Sequence, residues 1–194
     1  MDWIIPGTTL AAKKEDAAHI EDQFKTMFLA GGMVLSQVSS ITGLESYTVQ
    51  NWVKRGFLTN PKQKRYTLRQ LCRIININML KSALPLEQIC GLLTYINGNL
   101  DDESDDLIDD SQLYFLFVRL AANFSVMHNP QGRDAYVEQV LSDYQEPVPG
   151  AKERVKTVLR IMLTAWAAAQ LRQLAEQRVA GLQKDETSNS AKKD

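Results

Sequence analysis

The 194-residue chain has a net charge of −1, with 44% apolar and 23% charged residues. That is an ordinary globular composition, enough for one domain with an appendage or two small domains. A chain so near neutrality is not a polycation, so any affinity for nucleic acid or membrane surface must come from local charge.

Cys72 and Cys90 are too few for a disulfide framework or a cysteine zinc site. Apolar runs fall well short of the roughly 20 residues a membrane helix needs. The start, "MDWIIPGTTL", has neither the basic region nor the apolar core of a secretory signal. A cytoplasmic location with no membrane association is therefore expected.

Strand-like alternation is nearly absent, and apolar residues recur three and four apart, so the fold class is all-α. An N-terminal helical arm is expected over 1–33. Its helix covers about 14–29, with Ala17, Ile20, Phe24, Met27 and Phe28 on one side, and Gly31 and Gly32 ending it. A short helix at about 35–41 is broken by Gly43, and a second runs from Ser46 to Arg55 and stops at Gly56. The basic, turn-rich "LTNPKQKRYT" follows, where Pro61 forbids helix. Thr67 caps a helix to about Leu84, and Pro85 opens the next, with Leu86, Ile89, Cys90, Leu93 and Ile96 at helical spacing. The stretch "NGNLDDESDDLIDD" holds seven acidic residues and no basic one, so 99–110 reads as a solvated linker closing a 34–98 unit, with folding back onto the basic face, which would weaken DNA binding, as the alternative. Beyond it, helices at about 111–127, 134–144 and 150–182 make a C-terminal helical bundle over 111–182. The polar tail 183–194 is expected to be disordered.

The 46–55 helix has two faces. Val49, Trp52 and Val53 share the packing face. Tyr47, Gln50, Asn51 and Lys54 share the other, a stripe of side chains able to pair with base edges or phosphate. Between Ser36 and Lys81 lie Lys54, Arg55, Lys62, Lys64, Arg65, Arg69, Arg73 and Lys81 against Glu45 alone, a local excess of +7. Such an excess drives phosphate binding through counterion release. Candidate DNA-binding residues are Ser46, Tyr47, Gln50, Asn51, Lys54 and Arg55 on the helix. Lys62, Lys64, Arg65, Tyr66 and Arg69 are the candidates on a small β-wing and its flank, with Tyr66 expected to anchor the base of the wing. The blander reading of the stripe is a solvated helix face.

The order "GLESYTVQNWVKRGFL", a basic segment ending "RYT", a helix and then "LPLEQI" resembles the DNA-binding domain of the MerR family. The matching positions are Gly43, Thr48, Gly56 to Leu58, Arg65, Tyr66, and Leu86 to Ile89. The resemblance covers about a third of the chain. It implies a MerR-like winged helix-turn-helix that binds double-stranded DNA as a homodimeric transcriptional regulator. Members usually carry Arg at the position of Gln50 and an aromatic at that of Asn51, so base contacts here are not copied from the family. The same fold also serves as a protein-binding module, which makes a protein–protein adaptor the alternative function. The whole chain is also similar to a little-characterised Firmicute family of about this length, filed under a domain of unknown function and described as MerR-like.

No cofactor, metal or enzymatic activity is expected. There is no Gly-rich phosphate loop, no metal cluster, and no nucleophile with a base. The family's metal sensors carry C-terminal cysteines, and this chain has none after Cys90. Cys72 and Cys90 read as core residues, and His19 and His128 as surface or capping residues. The 111–127 helix is apolar on nearly every side, which places it at the centre of a bundle or in a dimer interface. Tyr114, Phe117, Phe124 and Trp166 read as core, with an effector pocket for a small molecule as the sharper alternative.

Overall fold

The computed structural model describes residues 3–123 and 130–190, with side chains over 3–123 and 134–182. The chain opens on a two-stranded antiparallel hairpin, β1 (Trp3–Ile4) and β2 (Ala11–Ala12), with Trp3 opposite Ala12. A 3-10 segment, Lys14–His19, leads into α1 (Ile20–Met27). The helical arm expected over 1–33 is therefore only partly helical. Strands of two residues carry no readable alternation. Gly7, at the tip with φ +74°, sits so close to the later chain that a Cβ there would lie 2.8 Å from Ile75 Cγ2.

Two short helices follow, α2 (Leu35–Thr42) and α3 (Ser46–Lys54). Gly43, with φ +67°, closes α2 in the left-handed conformation, and its N–H donates to the Ser39 carbonyl. Residues 62–65 form a tight turn. The Arg65 N–H donates to the Lys62 carbonyl at 2.9 Å, and both central residues, Gln63 and Lys64, have positive φ. Behind the turn, Tyr66 and Met33 exchange two backbone hydrogen bonds of 2.7 and 2.9 Å. The expected β-wing is thus a turn with single bridges, Lys62–Arg65 and Met33–Tyr66.

The next helix, α4 (Leu68–Leu80), begins with a reciprocal cap. The Thr67 hydroxyl accepts from the Gln70 N–H, and the Gln70 side chain accepts from the Thr67 N–H. The Gln70 amide also donates to Thr59, which pins the entry of the turn onto α4. Then come α5 (Leu86–Asn97), α6 (Asp110–Ala122), α7 (Pro130–Val140) and α8 (Ala151–Ser190).

The core centres on α4 and α6, which pack on each other more extensively than any other pair. Leu71, Cys72, Ile74, Ile75, Ile77 and Leu80 of α4 are buried, as are Leu113, Tyr114, Phe115, Phe117 and Val118 of α6. Of the two expected places for the all-apolar helix, the centre of a bundle is the observed one. The first half of α8 closes the far side through Val155, Val158, Leu159 and Met162.

Residues 99–110 do not behave as a solvated linker. A 3-10 turn, Glu103–Asp105, forms within them, Leu107 and Ile108 are buried, and their carboxylates grip α4. The apolar pair inside the acidic run is what brings it inward. Of the tail expected to be disordered, 183–190 continues the α8 backbone, and 191–194 lie outside the described residues.

Candidate nucleic-acid interface

The α3 helix divides as its periodicity requires. Val49 and Trp52 are buried and Val53 half-buried, which seats the helix on α2 and the core. Ser46, Tyr47, Gln50, Asn51, Lys54 and Arg55 are all exposed. Tyr47, Gln50, Asn51 and Lys54 lie on one side by helical spacing, and among the described residues none of the four makes a side-chain hydrogen bond or ion pair. Ser46 is the exception on this face, its hydroxyl 3.1 Å from that of Ser39.

The turn lies beside this face. Gln50 and Lys64 line a common groove of about 560 Å³ with Val34, Leu35, Val53 and Tyr66. Lys62 and Lys64 are exposed and form no ion pair among the described residues. Arg65 is exposed too, but its Nη1 donates to the Gly32 carbonyl at 2.8 Å, so it ties the turn to the chain ahead of α2.

Tyr66 is 3% exposed, with its ring in the core, so it anchors the base of the turn and offers no outward contact to DNA. Two further expected site residues are engaged with acids. Arg69 points at the acidic segment: its guanidinium lies 2.6 Å from Asp106, 3.1 Å from Glu103 and 3.6 Å from Asp109. Arg55 pairs with Glu87 of α5 at 2.6 Å and stacks 4.5 Å over the Phe57 ring. The Glu87 carboxyl is held below its ordinary value by its own backbone N–H and by Arg55.

The acidic run thus folds back onto the basic residues, the alternative to a solvated linker, but which arginine meets which acid was not legible in the sequence. Arg73 is buried, its Nε donates to the Phe57 carbonyl at 2.9 Å, and its Nη1 reaches both oxygens of the fully buried Asp110. Burial pushes the Asp110 carboxyl up, against the opposing pull of Arg73 and Arg69. Burial likewise raises Asp106 to about 6, with Arg69 opposing. The available signal was a charge match between two arginines four apart on α4 and an acidic run interrupted by "LI". The local excess of +7 is thereby reduced at the surface, where Lys54, Lys62, Lys64 and Arg65 remain exposed around α3 and the turn with no carboxylate partner among the described residues.

The aromatic residues weighed as an effector pocket are placed in or against the core. Tyr114 and Phe117 are fully buried, Tyr114 donates to the Pro6 carbonyl, and Trp166 meets Phe117 edge-on with centroids 6.0 Å apart. Phe124 and His128 lie outside the described residues, and His19 is exposed. An open cavity of about 560 Å³ lies elsewhere, between the Lys14–His19 segment and the later helices, lined by Lys14, Arg119, Asn123 and Tyr136 among others. Cys72 is buried and Cys90 half-buried, both as free thiols. No helix among the described residues is long and apolar enough to cross a membrane.

Residues 20–117 match the family model described as Domain of unknown function (DUF1836). The match begins at α1, takes in α2, α3, the turn and the acidic segment, and ends inside α6. A protein of Bacillus subtilis (strain 168) described as "Uncharacterized protein YkrK" is 31% identical over 84 residues. That alignment covers 41% of this chain and 36% of the relative, so the chain spans about a third of that protein's length. No solved structure matches the chain.

Proposed function

The chain belongs to the DUF1836 family, and we propose that it is a sequence-specific, double-stranded-DNA-binding transcriptional regulator without catalytic activity. In this reading α3 enters the major groove, and the 62–65 turn serves as a short wing on the phosphate backbone, in a MerR-like arrangement. The observation that carries it is the unpaired stripe of Tyr47, Gln50, Asn51 and Lys54 beside two exposed turn lysines. Amide side chains at 50 and 51 supply base-edge donors and acceptors, and the lysines supply phosphate neutralisation.

Pairing of two chains belongs to the same reading. Beyond the body, α8 exposes Leu171, Leu174, Val179 and Leu182. By helical spacing these form one stripe, which we assign to a second copy. A two-fold pair would set two α3 helices on successive turns of one DNA face, about 34 Å apart.

A salt titration of duplex binding tests the proposal. Lys54, Lys62, Lys64 and Arg65, the exposed basic residues there not paired with a carboxylate, predict a log–log slope of about −3.6 per chain, at roughly −0.9 per phosphate. Absence of duplex binding at low salt would overturn the proposal. One observation favours the adaptor reading: the groove between α2, α3 and the turn is largely apolar, lined by Val34, Leu35, Val53 and Pro61. A protein partner seated there would bind with little dependence on salt.

A further inference from the structure

We infer that the acidic segment 101–105 is an intramolecular stand-in for phosphate, with Asp101 and Glu103 holding the flank of the turn that duplex backbone would approach. The inference rests on the proposed DNA-binding function and concerns its regulation. Three observations carry it.

The first is position. Asp101 and Glu103 line the same cavity, about 340 Å³, as Asn60 ahead of the turn, Lys62 of the turn, Thr67 that caps α4 and Arg69 of α4. Negative charge is thus held where the turn meets the start of a 13-residue helix, whose N-terminus itself favours an anion.

The second is a division among the carboxylates. Asp106 and Asp110 have side chains 9% and 0% exposed and are fixed parts of the core edge. Glu103 is 77% exposed, and among the described residues its ion pair is with Arg69, at 3.1 Å. Arg69, 17% exposed, stays paired with Asp106 at 2.6 Å without it, so the solvent-facing Glu103 contact is the one that can be exchanged for another anion.

The third is that not every acid in the segment is free to serve. The Asp102 side chain accepts from the Ser104 N–H and hydroxyl, and Asp105 accepts from the Asn99 N–H, so both shape the segment. Among the described residues Asp101 bonds through its backbone N–H alone, donated to the Asn99 side chain. Asp101 and Glu103 are therefore the two carboxylates that can be neutralised while the fold is left intact.

The test is Asp101→Asn with Glu103→Gln in the full chain, measured by fluorescence anisotropy on duplex DNA. At about 50 mM salt the double variant binds tighter, and the gain shrinks as salt rises. Loss of two rim charges predicts a gain of roughly 3- to 10-fold. Asp134→Asn with Asp143→Asn alters net charge equally but on and after α7, and should leave affinity near that of the parent. If the parent binds and the first variant gains nothing, or no more than the second, the inference fails while the functional reading stands. If neither parent nor first variant binds at low salt, the functional reading fails and takes the inference with it. Binding by the first variant alone supports both.

Discussion

At the scale of single residues, the basic residues around α3 are not equivalent. Arg55, Arg69 and Arg73 are each paired with a carboxylate, and Arg65 holds the Gly32 carbonyl. Lys62 and Lys64 are exposed and without ion pairs, so Lys64 is the cleaner probe of phosphate contact. Lys64→Ala should weaken binding evenly across duplex sequences and reduce the salt slope by about 1. Asn51→Ala should also flatten discrimination between sequences, since a base contact carries roughly 1–3 kcal/mol of preference. Binding to a panel of duplexes checks the split, and parallel losses for both variants would refute it. The faces of α3 were legible because burial of Val49 and Trp52 fixes the helix rotation. The pairing of Arg69 was not, because a side chain's partner depends on which distant segment is folded against it.

At the scale of elements, helices were easier to place than turns and hairpins. The expected helix at 46–55 is found at 46–54, and that at 85–96 is found at 86–97. Gly43 ends α2 and Thr67 begins α4 for local reasons, a left-handed cap and a side-chain cap. The N-terminal hairpin was missed because its strands are two residues long, and its tip is stabilised by contacts across the molecule. Asn78 donates to the Gly7 carbonyl at 2.9 Å, and Tyr114 to that of Pro6. The 62–65 turn has positive φ at two non-glycine residues, the requirement of a type I′ hairpin turn, which Asn-Gly meets with least strain. Gln63→Asn with Lys64→Gly should therefore stabilise the protein by roughly 0.5–1 kcal/mol. The same change removes a turn lysine, so duplex affinity should fall as in Lys64→Ala. Chemical denaturation and duplex binding measured together would show the two effects moving in opposite directions. A loss of stability would mean that the turn does not need that geometry.

At the scale of the whole molecule, the acidic segment joins the α3–turn region to the C-terminal helices. Through Arg73, the Phe57 carbonyl just beyond α3 is connected to Asp110, the first residue of α6. Asp106 beside this connection makes stability depend on pH. Its folded value of about 6 lies above the ordinary 3.8. The stabilising contribution of its proton is full below about pH 4 and is lost as pH rises through 6. An amide cannot ionise, so the melting-temperature difference between Asp106→Asn and the parent should move in favour of the variant between pH 4 and 6, then level off. The expected size is on the order of 1 kcal/mol, allowing for the solvent that this carboxyl still reaches. A difference that stays flat across that window would show that Asp106 ionises as an ordinary carboxyl.

The sequence by itself determined the helical class, most helix ends and which side of α3 faces inward, because periodicity, caps and glycine conformations act within a few residues. It also carried the local basic excess. Only the tertiary structure decided how much of that excess remains exposed. Whether a charge is free depends on its neighbours in space, and here Leu107 and Ile108 bury themselves and bring their flanking carboxylates onto α4.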